Sequence, residues 1–465
     1  MSWDHRRPKQ LKAERDAAVK HQVVNLVGPC APFWRQQLSL VGLSPKSING
    51  LAALSRIPAV GERDLCPDGD PASAARMVLQ TDERGFAMRA TGYEMRSAYA
   101  RRLFSTTSYR RRVDATIRPT TYHEGGMAIR FPIASTRGDL DLVARAGFRM
   151  IRIMGLGRQD VVALTIADTT SMEAISMRYA CIGAGCPAVE TAGDLDALAR
   201  ALTVMPISVL VSTPDEAVDM IDTLAESDVA LGGVHTVVLV GGTNSRKRVE
   251  VRDALSRAGS SAVVLFAWGP RDGRVLYAEC RESVIAGRPS GLHTYPDLDV
   301  VQVVDPETGD SVPEDSDGEL VVTQLGFWGS ALLRWRTGAR ITEGIDKRTC
   351  SECHRTVARI PGEIEVDALA APLDDELVDL RVIAGALLGR PDLRDWRIEA
   401  VPTKSKVIVH IVTAGGDDEQ VAASVQRDVR RACGASIKQV AVHSELGPWP
   451  EQPGRLSPRI LVRPS

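Results

Sequence analysis

The chain has 465 residues, 44% of them hydrophobic and 25% charged, a globular balance that excludes wholesale disorder and fibrous architecture in a chain too long for one simple core. Lys and Arg number 57 against 59 Asp and Glu, a formal net charge of −2, so no global field draws the molecule onto nucleic acid or anionic lipid and only local charge can select a partner. No stretch approaches the roughly 18 uninterrupted apolar residues of a membrane span or a signal-peptide core, and eight cysteines are too sparse for a secreted disulfide framework, so a soluble cytoplasmic protein is expected.

Leu11 to Leu54 reads as a helical lead-in, with Phe33, Trp34, Leu38, Leu40 and Val41 as packing residues ahead of a Gly/Ser/Pro break. Between Gly92 and Arg118 lie Arg96, Arg101, Arg102, Arg110, Arg111, Arg112 and Arg118, with Glu94 and Asp114 the only acids. A solvated helix face and loop is the plainer reading of that segment, and an anion or phosphate surface the sharper one. Nucleic-acid binding follows from the local charge alone and lacks an aromatic stacking platform.

From Asp139 to Val300 helical and extended patterns alternate. Helices are predicted at Leu140–Met154, Met172–Gly183, Leu195–Thr203, Pro214–Ala225 and Arg246–Ala258, and strands at Val161–Ile166, Ser208–Ser212, Thr236–Val240 and Ala262–Phe266. Such alternation predicts an α/β domain with a parallel sheet covered by helices, with ligands beyond the carboxyl ends of the strands. Two short strands flank the turn-rich Asp305–Gly318 and predict a small β-rich subdomain. Strands at Trp396–Val401, Lys406–Thr413 and Ile437–His443 with a helix at Glu419–Ala432 predict a compact α+β unit. The expected organisation is a helical lead-in over 1–75, a large α/β domain with its β subdomain over 76–360 and a small α+β domain over 361–465.

Three phrases in this order carry a family resemblance: Asp317-Gly318-Glu319-Leu320-Val321-Val322-Thr323, Leu333-Arg334-Trp335-Arg336-Thr337-Gly338, and Cys350-Ser351-Glu352-Cys353. They resemble phenylacetate-CoA ligases of the adenylate-forming superfamily, where a GELVVT strand precedes an RYRTGD motif and a cysteine pair. Phe33-Trp34-Arg35, Ser135 to Leu140, Val209 to Pro214 and Val238 to Gly242 are similar to further family segments. The likeness covers the chain from about residue 31 onward and is weakest over Asp82–Met127. It implies ATP- and magnesium-dependent activation of a small-molecule carboxylic acid to an acyl-adenylate, followed by transfer to CoA or a carrier thiol. Such chemistry is mostly positioning and charge neutralisation around phosphates.

The residues that the resemblance assigns to those tasks are heavily altered. Tyr122-His123-Glu124-Gly125-Gly126-Met127 stands where the family has a hydroxyl-rich phosphate loop, and a plain turn is the better reading. Trp268-Gly269-Pro270-Arg271-Asp272 stands where an aromatic stacks on adenine and an acid holds Mg²⁺, leaving Trp268, Gly269 and Asp272 as candidates beside Gly241, Gly242 and Arg336. Ala339 replaces the acid that grips the ribose, Gly362-Glu363 replaces a Gly-Arg pair, and Gly454-Arg455 replaces the catalytic Gly-Lys, which leaves Arg455 as the candidate cation. The C-x-x-C spacing of Cys350 and Cys353 is compatible with one tight turn on a metal. The resemblance adds Cys280 and His293 to make a closed structural zinc set, with His354 competing as fourth ligand. Two functions therefore stand: a divergent acyl-activating ligase, or a catalytically inactive homologue acting as a binding or scaffold protein.

Overall fold

The structure, a computed structural model, describes residues 4, 8–67, 70–79, 92–126, 131–366, 370–373, 376–387, 390–401, 404, 406–433, 439–446 and 460–462. Helix α1 (Pro8–Lys20) runs through a π-helical turn at His21–Val27 into α2 (Pro32–Leu40). Pro32 opens α2, where a missing N–H leaves no helical bond unmade. Phe33, Trp34 and Leu38 are buried, and the Trp34 indole donates to the Ala331 carbonyl at 2.7 Å. Leu40 and Val41, expected to pack, are exposed. They stand at the C-terminal end of the helix, with Val41 its C-cap.

Helices α3 (Gly92–Phe104) and α4 (Thr106–Ile117) follow. Strands β1 (Pro119–Gly125) and β2 (Phe131–Thr136) then form an antiparallel hairpin. Tyr122–Gly125, expected as part of a turn, is strand instead. Its residues alternate, with His123 and Gly125 buried and Tyr122 exposed, a period of two that outweighs the two glycines as turn formers. Thr136 caps α5 (Arg137–Ile153) in a box with Asp139. The fully buried Asp139 also accepts the Trp328 and Gly329 N–H groups at 2.8 Å each, so this motif ties the start of α5 to the loop before the Arg-Thr-Gly segment.

An eight-stranded sheet carries the main core. Its parallel part comprises β3 (Val162–Leu164), β4 (Ala188–Glu190), β5 (Val209–Ser212), β6 (Thr236–Val240) and β7 (Val263–Trp268), and an antiparallel edge adds β8 (Tyr277–Glu279), β9 (Leu292–His293) and β13 (Arg359–Ile360), in the order β13-β9-β8-β7-β6-β5-β3-β4. The β5 and β6 residues are all buried, as expected of strands covered on both sides. Helices α6 (Met172–Ala184), α7 (Leu195–Val204), α8 (Ala217–Glu226) and α9 (Ser245–Arg257) connect these strands.

Strands β10 (Asp299–Val304), β11 (Gly318–Gln324), β12 (Trp335–Ile341) and β14 (Ile364–Val366) form a separate antiparallel sheet. The intervening turn begins at Asp305, whose carboxylate accepts the Glu307 and Thr308 N–H groups at 2.8 Å. Beyond it come the hairpin β15 (Ala370–Leu373) and β16 (Glu376–Asp379), helix α10 (Leu380–Leu387), strands β17 (Leu393–Val401) and β18 (Lys406–Thr413), helix α11 (Asp418–Cys433), and strands β19 (Gln439–Val442) and β20 (Ile460–Val462). Leu380, Ile383, Trp396, Ile398, Val409, Ile411, Val425 and Val429 give this part a core of its own. Among the described residues no helix is long and apolar enough to cross a membrane.

Candidate functional site

The ligand position of a parallel sheet lies beyond the strands' carboxyl ends. There β5 leads into Thr213-Pro214, β6 into Gly241-Gly242 and β7 into Trp268-Gly269, with Val240 in register with Ala267. Gly241 has a φ of +139°, and its N–H donates to the Ala267 carbonyl at 3.0 Å. Gly269 is required by contact: a Cβ there would sit 2.2 Å from the Val275 carbonyl oxygen. Trp268 is only 3% exposed, with its ring against Tyr277 at 6.2 Å between centroids. Its large apolar surface is therefore spent inside the core rather than offered to an adenine.

Around this cleft, Asp272 and Arg271 have charged or polar partners within the chain, although the Arg271 Nε has no hydrogen-bond partner among the described residues. Asp272, the expected magnesium ligand, is buried. One of its carboxylate oxygens accepts the Gly126 N–H and the other the Trp335 indole N–H at 2.6 Å. Burial and the nearby Glu62 raise its pKa to about 6 against those hydrogen bonds. The clasp explains Gly125, since a Cβ there would lie 2.7 Å from the same carboxylate. Arg271, in place of a hydroxyl, reaches Glu124 of the β1 strand at 3.9 Å and Asp168 beyond β3 at 3.6 Å. Two carboxylates thus face the guanidinium. His123 is buried with Nε2 lacking a partner, and burial holds its pKa down to about 3.

The Arg-Thr-Gly segment is similarly internal. Arg336 donates to Glu319 at 2.9 and 2.5 Å and to the Pro306 carbonyl. The Thr337 hydroxyl donates to the Leu320 carbonyl at 2.7 Å, and Ala339 is fully buried in the main core. At the following Gly-Glu pair, the Glu363 carboxylate accepts the Ser245 N–H at 2.9 Å, seating an acid at the positive end of α9. Arg455 lies outside the described residues.

Cys280 follows β8, His293 ends β9, and Cys350 and Cys353 sit in the loop before β13. Their ligand atoms lie within 4.8 Å of one another. The Cys280 and Cys350 sulfurs are 3.9 Å apart, and the Cys353 sulfur is 3.5 Å from His293 Nε2. A tetrahedral ion with bonds of about 2.3 Å to sulfur and 2.0 Å to nitrogen needs separations of about 3.8 and 3.5 Å. His354 is exposed, so the histidine in the cluster is His293. Hydrogen bonds from Cys353 and His293 favour the Cys280 thiolate. Against burial, those from His293 and Ser290 bring Cys350 down to about 6, while the hydrogen bond to Cys280 and burial hold the proton on Cys353; a metal would have to displace that proton to bind all three thiolates. Sequence reading missed Ser290, whose hydroxyl stands 3.6 and 3.4 Å from Cys280 and Cys350. It missed the Arg271–Glu124–Asp168 group as well, although Glu124 and Arg271 both stood out as charges in place of hydroxyls.

No protein-family model matches the chain. Its sequence is 22% identical over 321 residues to a phenylacetate-coenzyme A ligase of Aromatoleum evansii, a match covering 69% of this chain and 62% of that protein. The structure superposes on 2-hydroxyisobutyryl-CoA ligase in the postadenylation state in complex with R3-HIB-AMP with a TM-score of 0.64 at 16% identity, over 99% of this chain and 91% of that one. The same ligase with 2-HIB-AMP and CoA, in the thioesterification state, gives a TM-score of 0.61 over the same shares. The chain therefore has the fold of adenylate-forming CoA ligases, and its sequence is a distant relative of a phenylacetate-CoA ligase.

Proposed function

We propose that this chain is a non-adenylating protein built on the CoA-ligase fold, with a structural zinc ion at Cys280, His293, Cys350 and Cys353, and that it works by binding rather than by activating an acid. The observation that carries the reading is the occupation of the phosphate side of the cleft by the chain's own groups. Asp272 is held by Gly126 and Trp335, and Arg271 faces Glu124 and Asp168. ATP entering there would meet carboxylates where the reaction needs donors, and Ala339 supplies no acceptor for the ribose hydroxyls. The residues present do not fit MgATP. They do fit zinc, whose closed Cys₃His shell leaves no open coordination position and so points to a structural ion.

A cleft of about 610 Å³, lined in part by Asn244, Arg248, Ser290, Arg348, Arg359 and Glu363, lies beside the metal ligands and has the size of a small-molecule site. The ligase reading is favoured by the agreement of nearly the whole chain with a CoA ligase fold and by the 22% identity to a phenylacetate-coenzyme A ligase. Pyrophosphate exchange into ATP separates the two. Purified protein with magnesium and a panel of aliphatic and aromatic acids is expected to give none, and exchange with any acid overturns the proposal.

A further inference from the structure

Leu103 and Phe104, adjacent in the last turn of α3, are 85% and 90% exposed, more than any other large hydrophobic side chain among the described residues. Tyr99, 44% exposed, lies one turn before Leu103 on the same face of the helix. Arg101 and Arg102 directly precede this tip and Arg110 lies just past the first turn of α4; all three are exposed, as are Arg96 and Arg118 towards the other ends of the two helices. The whole segment from Gly92 to Arg118 holds seven arginines and, as its only acids, Glu94 and Asp114. Ala98, Tyr109, Val113 and Ile117 form a small cluster separate from the other cores, so the hairpin packs without help from its tip.

We propose that the α3–α4 hairpin is a peripheral membrane contact that places Leu103 and Phe104 in the interface of an anionic lipid bilayer. Its shape and its charge select that partner. A bilayer accepts a convex apolar tip without a complementary groove, and its anionic headgroups attract the surrounding guanidinium groups, whose apolar stems can lie along the interface. Two residues insert too little surface to hold alone, so apolar insertion and charge must act together. Single-stranded nucleic acid stacks successive bases on a run of open aromatic faces, whereas among the described residues of this hairpin only the Phe104 ring is largely open, with Tyr99 44% exposed. The Tyr109 ring is instead 3% exposed, covered by Arg102 at 5.4 Å and flanked by Tyr99 at 6.0 Å. With a net charge of −2 over the chain, attraction to anionic lipid has to come from local charge such as this hairpin carries.

The inference is independent of whether the cleft adenylates. It is tested with the full chain by co-sedimentation on phosphatidylcholine vesicles and on phosphatidylcholine/phosphatidylglycerol vesicles. Binding is expected only on the anionic vesicles, weakened by added salt, and reduced about tenfold or more in both Leu103→Ser/Phe104→Ser and Arg101→Glu/Arg102→Glu. Thermal melts equal to those of the parent protein show that the variants fold. Failure to bind anionic vesicles at low salt overturns the proposal, as does binding that both variants leave intact. Arginine-dependent retention of RNA without vesicle binding overturns it in favour of a nucleic-acid surface.

Discussion

Glu216, just beyond β5, is buried with one carboxylate oxygen lacking a partner, and burial raises its pKa from 4.5 to about 7. The folded state thus holds the proton more tightly than the unfolded chain, so this group's favourable contribution is complete below pH 4.5 and lost as pH rises through about 7. Glu216→Gln should therefore raise the melting temperature by a few degrees at pH about 8, an effect of up to about 3 kcal/mol, and change it little near pH 4. Equal shifts at both pH values would remove the assignment. Asp272 and Asp299, raised to about 6 and about 7 chiefly by burial, act in the same sense. His123 acts in the opposite one, since its lowered pKa makes protonation below about 6.5 costly. If the cluster holds the proposed zinc, Cys350→Ser should lower bound zinc from about one equivalent towards none and cost several degrees of thermal stability, with metal content read by elemental analysis; a parent protein without zinc overturns the assignment. The spacing of Cys350 and Cys353 marked them as a possible pair but was a weak signal by itself. Cys280 and His293 were reached only through family likeness, because strands distant in the chain bring them together. The Asp272 clasp and the Arg271 ion pairs were invisible in the sequence, since partners such as Gly126 N–H and Trp335 are set by tertiary packing.

The elements that were easiest to foresee are those with the strongest period. Thr236–Val240 was predicted with the bounds it has, and the helix over Arg246–Ala258 appears as Ser245–Arg257. The three-residue β4 strand has too few residues to display a period, and only its pairing with β3 defines it. Two-residue alternation in β1 was read as a turn because Gly125-Gly126 was given more weight than the His123/Gly125 pattern. A mechanical link between elements was also hidden. Thr243, in the turn between β6 and α9, donates its hydroxyl to the Gly362 carbonyl at 3.1 Å and accepts the Ile364 N–H at 2.7 Å. Together with Glu363 on Ser245, this fastens β14 and the chain that leads into the C-terminal part. Thr243→Val keeps the side-chain shape and removes both bonds, at a cost of about 1–3 kcal/mol for the orphaned groups. Limited proteolysis should then cut faster between residues 361 and 370, and an unchanged digestion rate would show that the fastening lies elsewhere.

For the molecule as a whole, the proposed function is a separation of fold from chemistry. The fold survives because it rests on the hydrophobic period of many segments, each tolerant of substitution, so that even at 16% identity the superposition covers 99% of this chain. Catalysis rests on a few charged and hydroxyl groups that no packing rule protects. Ala339 is where the two demands can be set against each other. It is fully buried on β12 among the residues of the main core. In a cleft still shaped for ribose, Ala339→Asp would restore the acid that the family likeness calls for and tighten ATP or AMP binding. In a cleft closed by its own side chains, the new carboxylate is an unpaired buried charge with no ligand to meet, costing about 3–5 kcal/mol. The expected outcome is a melting temperature lowered by roughly 5 °C or more, with no additional stabilisation by millimolar MgATP, measured by calorimetry on both proteins. A variant that melts like the parent protein and gains nucleotide-dependent stabilisation would place this chain among working ligases with one missing contact.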